Sequence, residues 1–370
     1  MQHNSKLLYR IALTLIKGVG VITARQLLEY IEDEEQIFKS SKKELSKIRG
    51  IDSKIVSEIQ NPEILTRAEQ EIKFIEKNNI DTFFIKDDDY PLRLKECLDA
   101  PIILYYKGKA DLNAKRIISV VGTRQSTNYG NSFCDEFIKE AAGYFPDTLI
   151  ISGLAYGIDI QSHKAALHNS LSTVGVLAHG LDRIYPSIHR KTAIEMLEKG
   201  GLLTEFISGT EPERYNFVRR NRIVAGMADA LIVVESNIKG GALITAEIAN
   251  SYNREVFAVP GRTTDKTSLG CNKLIYENKA QILRSFDDFV ECMNWKAPSK
   301  PKQPIQQQLF IELTNEEKII YDLLSSVESM HVNLISSTSN INILSLFPTL
   351  LEMEMRNIIR ALPGGLYQLK

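Results

Sequence analysis

Arg116–Leu154 reads RIISVVGTRQSTNYGNSFCDEFIKEAAGYFPDTLIISGL. A short run of Val and Ile ends in a glycine, an amphipathic segment follows, and a second apolar run again ends in glycine. Two β-rich runs joined by a helix-length crossover make a strand–helix–strand unit, and such units pair their strands in parallel. The pattern continues outward. TVGVLAHGL, GLLTEF, ALIVVES and EVFAVPG are further short apolar runs, separated by helical segments such as DIQSHKAALHN and ITAEIANSY. From about Lys115 to Phe289 the chain therefore reads as an α/β core, a Rossmann-like doubly wound parallel sheet.

The loops at the strand ends are rich in glycine and small polar residues: Gly122-Thr123-Arg124, Ser152-Gly153 through Asp159, Gly180-Leu181-Asp182 and Lys239-Gly240-Gly241-Ala242. Backbone amides freed by glycine at a helix start form anion sites, and a doubly wound sheet gathers such loops on one edge. Asn216–Gly226, NFVRRNRIVAG, adds Arg219, Arg220 and Arg222, with Asn221 between them and the flat apolar ring of Phe217 beside them. Cations for phosphates and a platform for bases are what a single strand of nucleic acid requires. The alternative is structural, with these arginines paired to acids such as Glu205 and Glu235. There is no G-x-x-x-x-G-K-[ST], and the loop after the first core strand is GTRQSTNYG rather than G-x-G-x-x-G. A P-loop ATPase and a nicotinamide enzyme are both disfavoured. Asp159 and His163 stand four residues apart, which reads as a hydrogen bond on a helix surface rather than a catalytic dyad.

The core is flanked on both sides. Residues 1–80 are helical in period, and LTLIKGVGVITARQLLEYI places Gly18 and Gly20 in a helix-hairpin-helix turn. A weaker echo, LSKIRGIDSKIVSEI, has Asp52 where a second glycine would sit. The lead-in FFIKDDDYPLRLKECLDAPIILYYKG joins this block to the core, giving a second domain over 81–296. The Pro- and Gln-rich APSKPKQPIQQQ reads as a linker (297–313). Residues 314–370 open with Thr314 and Glu317 at capping-box spacing and end in a hairpin turning at Pro363-Gly364-Gly365, a winged-helix pattern. Its recognition-helix candidate, INILSLFPTLLEMEM, has no Lys or Arg, and Pro348 is placed to start or kink it. Four basic against six acidic side chains from Thr314 onward leave a net charge of −2, which suits a protein-contact or autoinhibitory role better than reading duplex DNA.

With 370 residues, 44% hydrophobic and 25% charged, and a formal net charge of −1, the composition is that of an ordinary globular protein. Any basic surface must be local. Cys97, Cys134, Cys271 and Cys292 show no metal-site spacing, so no metal or cofactor is expected and a reducing, cytoplasmic setting is. No apolar run reaches membrane-spanning length.

The segments VVGTRQSTNYG, SGLAYGIDIQSHKAAL, HGLDRIYPSIHR, NFVRRNRIVAGMADALIVVES, GGALITAEIANSYNREVFAVPG and LGCNKLIY, in that order, resemble the DprA/Smf family of bacterial DNA-processing proteins. The resemblance extends to a SAM-like helix-hairpin-helix domain before the core and a winged-helix domain after it. It implies a non-enzymatic protein that binds single-stranded DNA, dimerises through the Rossmann-like core, and loads the RecA recombinase onto incoming strands during natural transformation. Carried over residue by residue, the DNA site would comprise Gly122, Thr123, Arg124, Ser152, Gly153, Phe217, Arg219, Arg220, Asn221, Arg222, Gly240 and Gly241, with no catalytic residue. The rival is an enzyme. GGALITAE approaches the GGxGTxxE signature of LOG-type nucleoside-monophosphate phosphoribohydrolases through Gly240, Gly241 and Glu247, but Leu243 replaces the third glycine.

Overall fold

The computed structural model describes residues 2–296, 313–327, 329–356 and 358–369, and the chain divides into two units, Met1–Ser299 and Lys300–Lys370. The linker expected at 297–313 lies almost wholly outside the described residues. Six helices come first: α1 (Gln2–Leu15), α2 (Val21–Tyr30), α3 (Glu34–Lys39), α4 (Lys42–Leu45), α5 (Ser53–Ile59) and α6 (Pro62–Asn78). The turn between α1 and α2 needs Gly18 at φ 83°, a left-handed conformation costly for other residues. Asp52 does local work: its carboxylate accepts from the amides of Lys54 and Ile55 and caps α5. These helices belong to the same unit as the sheet. Arg10 grips Asp87 through two hydrogen bonds of 2.7 and 2.9 Å, and Arg67 donates to the Ser208 carbonyl at 2.6 Å.

The sheet is mixed and nine-stranded. Its strands are β1 (Asp81–Phe84), β2 (Ile103–Gly108), β3 (Arg116–Val121), β4 (Thr148–Ser152), β5 (Ser172–Val176), β6 (Gly201–Thr204), β7 (Ala230–Val233), β8 (Glu255–Ala258) and β9 (Gln281–Ile282). Their spatial order is β1-β2-β6-β5-β4-β3-β7-β8-β9. From β6 to β9 every pairing is parallel, as the alternating pattern requires. The lead-in corrects the all-parallel expectation: its PIILYYKG segment forms β2, which pairs antiparallel with β6 and carries β1 antiparallel on the outside. Tyr105 and Tyr106 are both buried there. The Tyr106 hydroxyl donates to the Gly200 carbonyl at 2.9 Å and accepts from the Ala110 amide at 2.8 Å.

The connecting helices are α7 (Leu92–Lys95), α8 (Asn128–Tyr144), α9 (Ile158–His168), α10 (Arg190–Lys199), α11 (Arg214–Gly226), α12 (Gly241–Ser251), α13 (Leu269–Tyr276) and α14 (Phe286–Cys292). On one face of the sheet Phe137, Phe257, Phe286 and Phe289 pack ring against ring around Ile118, Ile150 and Ile232. The other face and the first six helices share one apolar core. The strand order turns back at β3: β4, β5 and β6 lie on one side of it, and β7, β8 and β9 on the other. That reversal opens a crevice outside the carboxyl ends of β3 and β7.

Among its described residues the second unit has three helices, α15 (Asn315–Ser325), α16 (Val332–Ser339) and α17 (Ile343–Met355), and a three-stranded antiparallel sheet of β10 (Met330–His331), β11 (Ile359–Leu362) and β12 (Leu366–Leu369) in the order β10-β12-β11. The capping box forms as the sequence indicates, Thr314 accepting from the Glu317 amide while Glu317 accepts from Thr314. Pro348 neither starts nor ends α17 but sits inside it. Among the described residues no single helix is long and apolar enough to cross a membrane.

Candidate nucleic-acid interface

A cleft of about 600 Å³ opens at the strand-order reversal. Its walls come from the loop after β3 (Gly122, Thr123, Arg124), the start of α9 (Asp159), α11 (Phe217, Arg220, Asn221) and the loop into α12 (Lys239, Gly240, Gly241). The two sides are tied together across the reversal. The Thr123 amide donates to the Glu235 carbonyl at 2.7 Å. The Glu235 carboxylate, buried at the end of β7, accepts from the Thr127 amide at 2.9 Å and the Thr127 hydroxyl at 2.6 Å. Glu235 thus anchors the start of α8 rather than an arginine.

Three helices start at this cleft without a side-chain cap, α9 from Gly157, α11 from Glu213 and α12 from Gly240, but in α9 the Ile158 amide already donates to the Thr123 carbonyl and the Ile160 amide to the Ala155 carbonyl, each at 3.2 Å. The amides of a helix's first turn have no intrahelical partner and carry the positive end of the helix dipole. Gly157 is required where it stands. Its φ is 74°, and a Cβ there would strike the Thr123 carbonyl and the Arg124 backbone. The loops after β3 and β4 can touch only because that side chain is missing.

The three arginines of α11 do not act as one cluster. Successive residues of a helix turn by about 100°, so Phe217, Arg220 and Asn221 share the face toward the cleft while Tyr215, Arg219 and Arg222 share another. Arg220 is buried, lies directly over Gly153, and donates to the Val176 carbonyl at 2.5 Å. Its Nε has no partner among the described residues. Burial lowers its pKa, and the nearby Asp159 carboxylate opposes that shift. Asp159 answers in kind: burial raises its pKa, and Arg220 opposes it. Arg124 is exposed, with its guanidinium 5.4 Å from the centre of the Phe217 ring, while that of Arg220 is 5.9 Å away. The half-buried Phe217 ring is thus attended by two cations.

Arg219 and Arg222 belong instead to Glu205, whose Oε2 receives them at 2.8 and 2.5 Å. Arg222 also donates to the Asp99 carbonyl, and Arg219 lies 5.1 Å over the Phe206 ring. Both line a second cleft of about 590 Å³, walled by Leu13, Val19, Gly20 and Val21 of the first helices. For these two the structural reading, pairing with Glu205, is the one realised. Ser152 is also withdrawn from any ligand: it is buried and its hydroxyl donates to the Val120 carbonyl at 2.6 Å. Gly153 is buried beneath Arg220 and serves it as a seat. The remaining expected residues, Gly122, Thr123, Arg124, Phe217, Arg220, Asn221, Gly240 and Gly241, are brought together. Lys239, exposed beside them, was passed over as a site residue although its place before two glycines at a helix start marks it.

The surface hydrogen bond expected between Asp159 and His163 does not form. His163 is buried, and its Nδ1 lies 2.7 Å from the Thr173 hydroxyl. That hydroxyl donates to the Ile150 carbonyl at 3.0 Å, so it accepts from His163, which places the ring proton on Nδ1. Burial and the neighbouring Arg220 charge push His163 down to about 3. Glu247, the carboxylate that the hydrolase signature would need, points away from the cleft and pairs with Lys279 at 3.8 Å. Among the described residues no three potential ligands gather around a metal position.

A family model described as DNA recombination-mediator protein A matches residues 81–294. The Smf protein of Synechocystis is 34% identical over 294 residues, 78% of this chain and 73% of that protein. Among solved structures, DNA processing protein A of Streptococcus pneumoniae superposes with a TM-score of 0.62 at 31% identity, over 77% of this chain and 97% of that one. DNA processing protein A of Helicobacter pylori, described for its single-stranded DNA binding mode, gives 0.53 at 26% identity, over 59% and 97%.

Two outcomes follow from the geometry. Gly153→Ala puts a methyl into the Arg220 guanidinium and should cost about 1–3 kcal/mol of stability in urea denaturation; wild-type stability would show that Arg220 is free to leave its seat. For His163, the native ring stays neutral from pH 6.5 down toward 3 while the unfolded ring takes up a proton. Stability is therefore complete above 6.5 and is lost as pH falls, at up to about 1.4 kcal/mol per pH unit from this residue. Urea midpoints of the wild type and His163→Gln between pH 7 and 5 check this, the variant being expected to have the shallower slope.

Proposed function

The chain belongs to the DNA recombination-mediator protein A family, and from that membership and the geometry of the cleft we propose that it binds single-stranded DNA at the strand-order reversal. One observation carries the reading. The uncapped, glycine-led start of α12, the exposed Arg124, the buried Arg220 and the half-buried Phe217 ring converge on a single cleft. Amides and guanidiniums take backbone phosphates, and an aromatic face takes an unpaired base. A paired base is already stacked and cannot reach such a ring, so a single strand is favoured over a duplex. Contacts to backbone phosphates and stacking on Phe217 are indifferent to base identity, so sequence preference is slight.

In this reading Gly122, Thr123, Arg124, Phe217, Arg220, Asn221, Gly240 and Gly241 touch the strand. Ser152, Gly153, Arg219 and Arg222 build the wall behind it. The protein acts without catalysis, as a cytoplasmic dimer paired through the α/β core. It covers incoming strands and passes them to a RecA-type recombinase during transformation or recombination. The relative from Helicobacter pylori, described for its binding of single-stranded DNA, supports the ligand. The family's name as a recombination mediator supports the hand-over. The first helices serve as a helix-hairpin-helix module, and the second unit as a winged helix that contacts protein, in keeping with its acidic charge.

Fluorescence anisotropy with an unstructured oligonucleotide, titrated at several salt concentrations, tests the ligand. The wild type should prefer the single strand to a matched duplex. Arg124→Ala should bind more weakly to every sequence, with a salt slope smaller by about 1. Equal affinity for duplex, or no binding at low salt, would remove the reading, and release of free base from AMP would replace it with the hydrolase.

A further inference from the structure

Beside the cleft, and outside its lining, stand two tyrosines that the cleft alone does not use. Tyr185 is 45% and Tyr156 46% exposed. Exposed aromatics scattered singly are ordinary, but these two are fixed and connected. The Tyr185 ring meets Phe217 at 5.9 Å between centres and 60° between planes. Its backbone amide donates to His179 Nε2 at 3.2 Å, while His179 Nδ1 donates to the Gly180 carbonyl at 2.8 Å. Four residues on, the buried His189 donates from Nδ1 to the Leu154 carbonyl at 3.0 Å, and its ring meets Tyr156 at 5.0 Å and 67°. The Pro186–His189 turn, in which the His189 amide donates to the Pro186 carbonyl at 3.0 Å, joins the Phe217–Tyr185 pair to the His189–Tyr156 pair, making a row on the loops after β4 and β5 beside the cleft. Both tyrosines are held at steep angles to their neighbours, so no parallel ring covers them in these contacts. Arg190 and Lys191 follow His189 directly at the start of α10 and are exposed, which sets positive charge alongside the row.

We propose that Tyr185 and Tyr156 are successive stacking platforms that carry a single strand out of the cleft, each taking one base beyond the nucleotide at Phe217. This rests on the single-stranded DNA reading above and extends it from one pocket to a path. Stacking of a base on an aromatic ring is insensitive to sequence because every base has a π-face. A Tyr185 ring seated against Phe217 and a Tyr156 ring seated against His189 lose little freedom when a base arrives. The path runs along the β4–β5 side of the sheet, toward α10 and away from the Glu205 cleft.

The test compares a short oligothymidylate that fills only the cleft with one long enough to follow the row, using the full chain and anisotropy at fixed salt. The wild type should bind the long strand more tightly. Tyr185→Ala and Tyr156→Ala should each weaken the long strand about five- to a hundredfold and leave the short strand unchanged, while Tyr185→Phe and Tyr156→Phe keep wild-type affinity. A long strand carrying abasic positions beyond the first few nucleotides should be bound alike by the wild type and the alanine variants. Alanine variants that bind the long strand like the wild type overturn the path, as do equal losses on both lengths or a loss that phenylalanine does not restore. Variants that keep DNA affinity but lose a protein partner overturn it too. A wild type that binds neither length rejects the underlying single-strand reading itself, which separates the two failures.

Discussion

A guanidinium buried where the strand order reverses is the constraint on which the cleft depends. Arg220 could not occupy that place alone, since a buried charge without partners is prohibitively costly. Gly153 leaves it room, the Val176 carbonyl accepts from it, and Asp159 lies close enough to offset its charge. Gly153 and Asp159 flank the single loop between β4 and α9, and Val176 is the last residue of β5. One side chain of α11 thereby fixes three loop ends relative to one another. The desolvation cost of a guanidinium at the cleft wall is met by the fold itself.

The opposite face of α11 does a different job with the same residue type. Glu205 draws Arg219 and Arg222 together, and Arg222 reaches the Asp99 carbonyl just before β2. This joins the helix to the antiparallel edge of the sheet, against which the first helices pack. Buried pairs of this kind specify geometry more than they add net stability. The helix is a partition: one side lines the cleft, and the other attaches the core to the lead-in and the N-terminal helices.

Much of this was legible in the residues. Glycine-ended β runs separated by helical segments gave the parallel strands from β3 to β8, and the four loops were correctly placed on one edge. Thr314 and Glu317 capped α15 as their spacing indicates. The antiparallel strands were missed because IILYYK lies in a lead-in next to charged and turn-forming residues, and nothing local says that a run will pair backward with a strand formed a hundred residues later. The arginines were misread as a unit because they are adjacent in sequence, although the 100° turn per residue separates Arg220 from its neighbours. Ser152 looked available from composition, yet its register at the end of β4 turns it toward the Val120 carbonyl. His163 was read as a surface residue because the sequence of α9 carries polar groups on several sides, and only the packing of that helix on β4 and β5 buries it.

Hydrogen exchange of the full chain, with and without a saturating single-stranded oligonucleotide, discriminates between the two faces of α11 most directly. The account predicts slowed exchange in Gly122–Arg124 and at the start of α12, Gly240–Ile244, with little change at Val19–Ala24. Protection confined to Val19–Ala24 and the segment around Glu205 would place the strand in the other cleft and contradict the central assignment.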